Sequence, residues 1–144
     1  MPSDRGVQTI RIALQSEPIA VRQALKGLFG DRLLHILQGD QRDTAELILA
    51  EVLNNVVEHA YAGGTGEIEV SVSLRDGSLV FTIVDGGAEM PGRTLPDGVL
   101  GDPSRAASLP EGGFGWHMVR TLARDVGYRR TKDRNVLSFS LDLT

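Results

Sequence analysis

A glutamate and an asparagine four residues apart are the side chains in this sequence best suited to chemistry. Glu51 and Asn55 stand in the run EVLNNVVEHAY at residues 51–61. If this segment is helical, residues four apart project side by side, so that one carboxylate and one neutral oxygen share a face. A carboxylate can take a proton from a hydroxyl, and Mg²⁺ prefers hard oxygen ligands. The spacing therefore indicates proton abstraction beside magnesium coordination.

The helix face that carries this pair is unusual for a surface that only meets water. Its other polar residues are Asn54, Glu58 and His59, and the opposite arc is apolar. A solvated helix face usually carries paired Lys, Arg and Glu, whereas this one has no Lys or Arg and contains two asparagines, which are poor helix formers. A solvated face is the alternative interpretation, and His59 is equally well explained as a packing residue at the helix end.

Two glycine motifs follow farther along the chain. Asp85-Gly86-Gly87 ends the run LVFTIVD, and GGFG at residues 112–115 precedes a helical pattern. A carboxylate at a strand end can accept a hydrogen bond from an exocyclic amine, although the motif alone is only a turn signal. Glycines before a helix N-terminus form an anion site from backbone amides. The second motif lacks the third glycine of a dinucleotide fingerprint, and no lysine follows a glycine loop as in a Walker motif.

The elements that must position these motifs can be predicted from the hydrophobic pattern. Strands are predicted over 7–15, 67–75, 78–85 and 136–143, and helices over 17–29, 41–62 and 114–127. Residues 88–111 have no periodicity and hold four of the six prolines, which favours a lid or binding loop over a passive insertion. This order predicts an α+β two-layer sandwich with a mixed, mostly antiparallel sheet and helices on one face.

Composition limits the classes of function that this chain can have. Its 144 residues predict one domain, and the lack of cysteine excludes disulfide scaffolds and thiol nucleophiles and suits a reducing cytoplasm. The net charge of −4 argues against a dedicated nucleic-acid binder. No apolar run exceeds four residues, so we expect neither a membrane span nor a signal-peptide core.

Taken together and in this order, the motifs resemble those of the GHKL ATPases, the superfamily of gyrase, histidine kinases and MutL. Residues 51–61 resemble the N box, residues 85–87 the first glycine box and residues 112–120 the second. The resemblance is strongest to the stand-alone anti-sigma-factor serine/threonine kinases of the RsbW and SpoIIAB type. This sequence shares with them its short length, the H-A-Y ending of the N box and the run GWHMVRTLARDVGY at 115–128.

The resemblance implies a role for each matching residue. Glu51 would be the general base, and Asn55 would be the Mg²⁺ ligand. Asp85 would accept a hydrogen bond from the adenine amine, Gly87 would lie beside the adenine, and Ser138 would supply a hydroxyl under it. The phosphate loop would be formed by Gly113, Phe114 and Gly115, and the lid over ATP by residues 88–111. Two positions depart from the family pattern. Glu89 replaces a glycine that many members have, and His117 replaces an apolar residue.

The implied function is that of a Mg-ATP-dependent serine/threonine kinase in a partner switch. Such a protein sequesters a sigma factor and phosphorylates an anti-anti-sigma protein of the STAS type, and its relatives often form homodimers. The alternative is a non-catalytic, ATP-gated protein-binding module of the same fold. We do not expect an autonomous histidine kinase, because about 40 residues before the N-box helix are too few for the two long helices of its phosphoacceptor hairpin.

Overall fold

A computed structural model describes residues 8–61, 66–89 and 111–143, of which residue 32 and residues 111–115 are described by their backbone alone. The elements in chain order are β1 (Gln8–Gln15), α1 (Pro18–Phe29), a 3-10 helix (Arg32–Ile36), α2 (Asp40–Asn55), a π-helical turn (Val56–Ala60), β2 (Glu67–Arg75), β3 (Ser78–Asp85), α3 (Glu111–Leu122), β4 (Arg124–Thr131) and β5 (Arg134–Asp142). No helix in these ranges is long and apolar enough to cross a membrane.

The strands form one five-stranded sheet in the order β1-β2-β3-β5-β4. Every pair of neighbours in that order is antiparallel, which confirms the predicted α+β fold class. The central strand β3 pairs with β2 on one side and with β5 on the other. At its last residue, Asp85 lies opposite Ile68 of β2 and Asn135 of β5. Both neighbours of β3 therefore meet at the residue predicted to bind adenine.

The hydrophobic core lies between one face of this sheet and the helices. Alternate residues of β3 and β5 are buried, as expected for strands with one covered face. Phe81 and Phe139 stack across the two strands with ring centroids 4.8 Å apart. Helix α2 adds a stripe of fully buried aliphatic side chains to the same core, Ile48, Leu49, Val52 and Leu53. This packing fixes the position of α2 over the sheet.

The helix predicted over 114–127 is wrong in its second half. Helix α3 ends at Leu122, and β4 begins at Arg124. The register between β4 and β5 shifts between Arg124 and Gly127, and Asp125 in this irregular stretch has a φ of 52°. A continued helix would satisfy its own backbone groups but would leave the outer edge of β5 unpaired, whereas Arg124 and residues 127–131 pair with that edge. Since β4 is an edge strand, its side chains are mostly polar and show no alternation.

The helix predicted over 41–62 is present from Asp40, but its last turn has a different geometry. The α-helical part ends at Asn55, and Val56–Ala60 form the π turn. Single π-helical turns within a helix are rare and frequently occur at functional sites. Here the π turn joins the helix that carries Glu51 and Asn55 to Tyr61, whose hydroxyl contacts the Gly86 amide after β3.

Candidate functional site

The end of the N-box segment, residues 51–61, is hydrogen-bonded to the Asp85-Gly86-Gly87 motif. The Ala88 amide donates to the Ala60 carbonyl at 2.7 Å. The Tyr61 hydroxyl accepts from the Gly86 amide at 2.6 Å and donates to the carbonyl of Glu67 at the start of β2 at 2.9 Å. Two motifs that stand apart in the sequence therefore form one unit. The tyrosine that ends the N box had no predicted role, although the motif contained it.

Gly87 is required because the backbone of the π turn lies against it. A Cβ atom at this position would lie 2.3 Å from the Ala60 carbonyl oxygen and 2.7 Å from the Ala60 Cβ. At Gly86 the nearest atom would be the Tyr61 hydroxyl at 3.5 Å, which is an ordinary contact. The second glycine thus allows the chain leaving β3 to pack on Ala60. That Gly87 also lies beside the adenine stays a prediction.

Asp85 is a buried carboxylate whose two hydrogen bonds end on the same oxygen. The residue is 5% exposed, and its Oδ1 accepts from the Gly87 amide at 2.9 Å and from Asn135 Nδ2 at 2.8 Å. Among the described residues, Oδ2 has no hydrogen-bond partner, yet it is not sealed from solvent, since only Ser16 Oγ is both buried and unpartnered there. An oriented oxygen of this kind can accept a hydrogen bond from an exocyclic amine.

Asn135 holds the Asp85 carboxylate and was missed in the sequence. It is 5% exposed, and its Nδ2 also donates to the Ala88 carbonyl at 2.8 Å. Its Oδ1 accepts from the Tyr128 hydroxyl at 2.5 Å and from Arg130 Nη1 at 3.1 Å. Because Asn135 precedes the strand predicted over 136–143 and β4 was not predicted, no signal in the sequence pointed to this residue.

Glu51 and Asn55 are both half-buried on α2, in accord with their predicted common face. Neither side chain has a hydrogen-bond or ion-pair partner among the described residues, so a carboxylate and an amide are open to a ligand. Asn54, Glu58 and His59 are exposed, and His59 Nε2 lies 3.7 Å from the Glu58 carboxylate. His59 is therefore not a packing residue.

The second glycine motif lies within α3 and not before it. The sequence predicted a helix from residue 114 with the first glycines before it, whereas α3 begins at Glu111, so that Gly113, Phe114 and Gly115 all have helical backbone. The buried side chains of Trp116 and Val119 anchor this helix to the core, and the glycines continue it toward its N-terminus. The first four amides of a helix have no partner within it, so this end can still bind an anion. The phosphate-binding role stays a prediction.

Ser138 does not lie with Asp85. It pairs with Thr82 and alternates with the buried Leu137 and Phe139, so its side chain lies on the sheet face away from the helices. Asp85 is on the helix-covered face, in line with the buried Leu79, Phe81 and Ile83. The structure therefore brings Asn135, and not Ser138, to Asp85; a contact of the Ser138 hydroxyl with the adenine stays a prediction. The predicted lid, residues 88–111, lies outside the described residues except at its ends.

Comparisons with known sequences agree with this arrangement. The sequence profile of the histidine kinase-like ATPase domain matches residues 14–141. A serine-protein kinase RsbW of Bacillus mycoides (strain KBAB4) is 28% identical over 102 residues, and one of Bacillus cereus (strain AH820) is 26% identical over 100 residues. Each alignment covers 68% of this chain, and the chain spans 62% of the length of each relative.

Solved structures show the same fold. The histidine kinase domain of a blue-light-activated histidine kinase from Erythrobacter litoralis superposes with a TM-score of 0.54 at 17% identity, covering 87% of this chain and 60% of that one. The catalytic domain of the histidine kinase ThkA superposes with a TM-score of 0.54 at 11% identity, covering 95% and 97% of the two chains.

Proposed function

We propose, since this chain belongs to the family of histidine kinase-like ATPase domains, that it is a Mg-ATP-dependent protein serine/threonine kinase. Its substrate would be a serine of an anti-anti-sigma protein of the STAS type, and its second partner a sigma factor that it sequesters in a partner switch. The resemblance of its motifs to anti-sigma-factor kinases and the relatives named serine-protein kinase RsbW support this proposal. We place the protein in the cytoplasm, with a homodimer as its expected assembly.

The observation that carries the nucleotide part of the proposal is the state of Asp85. Its buried carboxylate has one oxygen held by two donors and a second without a partner among the described residues. Adenine offers an exocyclic amine, a donor that matches this free acceptor. A hydrogen bond to a charged group contributes about 1.5–3 kcal/mol, which is enough to select one nucleobase.

The residues of α2 fit Mg²⁺ and the reacting hydroxyl. No group of three His, Asp or Glu side chains that could hold a metal occurs in the described part of the chain. Mg²⁺ at nucleotide sites needs few protein ligands, since phosphates and water supply the rest, so Asn55 alone suits this role. When bound, the ion neutralises the charge of the phosphates. Glu51 would accept the proton of the serine hydroxyl, an effect of about 10²–10⁴ in rate.

Substitution of Glu51 and Asn55 separates catalysis from binding. We expect Glu51→Gln to bind Mg-ATP and the protein partner but to lose transfer of radiolabelled phosphate by at least about 100-fold, because only the base is removed. Asn55→Ala should instead weaken Mg-ATP binding itself, measured by titration calorimetry. Glu46→Gln, an exposed position on the same helix, is the matched control and should leave both properties unchanged.

The substrate is identified by recovering partners from the source cell with and without ATP. Mass spectrometry should find one partner phosphorylated on serine with the wild-type protein and unphosphorylated with Glu51→Gln. If partner binding depends on ATP while no phosphate is transferred and Glu51→Gln behaves as wild type, the kinase proposal is wrong. The protein would then be the non-catalytic, ATP-gated binding module.

A further inference from the structure

The β4–β5 hairpin contacts the Asp85 carboxylate and the residues that follow it through one buried amide. Asn135 Nδ2 donates to Asp85 Oδ1 and to the Ala88 carbonyl, both at 2.8 Å. Arg130 Nη1 donates to the Gly87 carbonyl at 2.7 Å and to Asn135 Oδ1 at 3.1 Å. Two side chains of the hairpin thus bind three of the four residues from Asp85 to Ala88, namely Asp85, Gly87 and Ala88.

The orientation of the Asn135 amide is determined by its neighbours. The hydroxyl of Tyr128 and the guanidinium of Arg130 both meet its Oδ1, and a guanidinium can only donate. The oxygen must therefore face Arg130, and the NH₂ group must face Asp85. If the amide were reversed, its NH₂ group would face the Arg130 guanidinium, donor against donor, and its oxygen would face the Asp85 carboxylate, acceptor against acceptor.

The carboxylate of Asp85 needs this support because its own torsion does not fix it. Rotation about the terminal bond of an aspartate is broad and nearly twofold, so the side chain alone does not select the oxygen that faces a ligand. The Gly87 amide gives one hydrogen bond, and Asn135 gives a second to the same oxygen. Together they hold Oδ1 inside and leave Oδ2 for the ligand.

We propose that Asn135 is a positioning residue for recognition of the adenine amine, and that Arg130 acts through it. This inference rests on the proposed function, because it assumes that Asp85 binds adenine. It concerns base selectivity and not the phosphate transfer, so it can be tested by binding alone. The two residues do not need to touch the nucleotide for this effect.

The test compares ATP with inosine triphosphate, which carries an oxygen where adenine has its amine. Calorimetric titration in the presence of Mg²⁺ gives the ratio of the two affinities. We expect Asn135→Asp, which keeps the shape but sets an acceptor against Asp85, to lower the ATP preference about tenfold. Arg130→Ala should lower the ATP preference about threefold. This variant tests the inference by itself if Asn135→Asp fails to fold.

Arg129→Ala is the matched control. Arg129 is exposed and adjacent to Arg130 on β4, so both variants remove one positive charge from the same strand. Arg129→Ala should keep the wild-type ratio, which separates base selectivity from general attraction of the triphosphate.

The outcomes distinguish this inference from the proposed function. A wild-type protein that binds neither nucleotide contradicts the proposed function before any variant is compared. If the wild-type protein prefers ATP but Arg130→Ala lowers both affinities by the same factor, the hairpin has only a structural role and the inference is overturned. A fall of the ratio in Arg130→Ala that is absent in Arg129→Ala supports it.

Discussion

Replacing Gly87 with alanine tests whether the contact between β3 and the π turn is essential. The added Cβ would lie 2.3 Å from the Ala60 carbonyl oxygen and 2.6 Å from its carbonyl carbon, both backbone atoms. Because backbone cannot rotate away as a side chain can, the two segments must separate. The hydrogen bond from Ala88 to the Ala60 carbonyl, 2.7 Å long, would then be lengthened or lost.

The magnitude follows from two contributions to the free energy of unfolding. Overpacking of a tight contact costs about 1–3 kcal/mol, and the loss of one hydrogen bond about 1 kcal/mol. We therefore expect Gly87→Ala to destabilise the protein by about 2–4 kcal/mol. For a chain of this size, about 3 °C per kcal/mol gives a fall in Tm of about 6–12 °C.

Two further glycine-to-alanine variants are the controls for this measurement. At Gly86 the Cβ would make an ordinary contact of 3.5 Å with the Tyr61 hydroxyl, so Tm should change little. At Gly27, an exposed position within α1 where a Cβ meets nothing within 4 Å, alanine should raise stability by about 1 kcal/mol. Urea and thermal unfolding followed by circular dichroism measure all three. A Gly87→Ala variant as stable as Gly86→Ala would refute the reasoning.

The remaining predictions concern the carboxylate, the tyrosine and the tryptophan of the site. Asp85→Asn should keep both internal hydrogen bonds on its oxygen but set a donor against the adenine amine. Calorimetry should therefore show at least about tenfold weaker ATP binding at unchanged Tm. Equal ATP affinity of the variant and the wild-type protein would exclude this contact. Tyr61→Phe removes two hydrogen bonds, one with Gly86 and one with Glu67, and should cost about 2 kcal/mol in urea unfolding. Trp116 is the one tryptophan and is 4% exposed, so its emission should change on titration with Mg-ATP, and an unchanged spectrum at saturation would contradict a site at the start of α3.

Much of the sheet could be predicted because its central strands alternate clearly. The predicted strands over 67–75 and 78–85 agree with β2 and β3, and Asp76-Gly77 form the turn between them, both with positive φ. A strand that buries one face needs an apolar residue at every second position, and this alternation is visible in the sequence. The edge strand β4 does not need such alternation. It forms because it pairs with β5, and a local sequence pattern does not contain that pairing.

The site was predictable only where one motif could be recognised by itself. Asp85 and Gly87 stand in a short motif, and the structure shows why position 87 must be a glycine. Asn135 and Arg130 act through contacts across the β4–β5 hairpin, and neither belongs to a motif. Ser138 lies on the opposite face of β5 from Asn135, because side chains along a strand alternate between faces, and its contact with the adenine stays a prediction.

The hydrogen bond between Asp85 and Asn135 joins residues 50 positions apart, and this separation has a consequence for synthesis of the chain. At about 5–20 residues per second, a ribosome makes Asn135 about 3–10 s after Asp85. During that interval β2 and β3 can form their hairpin, but the carboxylate has no partner from β5. The full affinity for ATP should therefore arise only when β5 has emerged and paired with β3. Retention of stalled nascent chains on immobilised ATP would then mark the completion of folding.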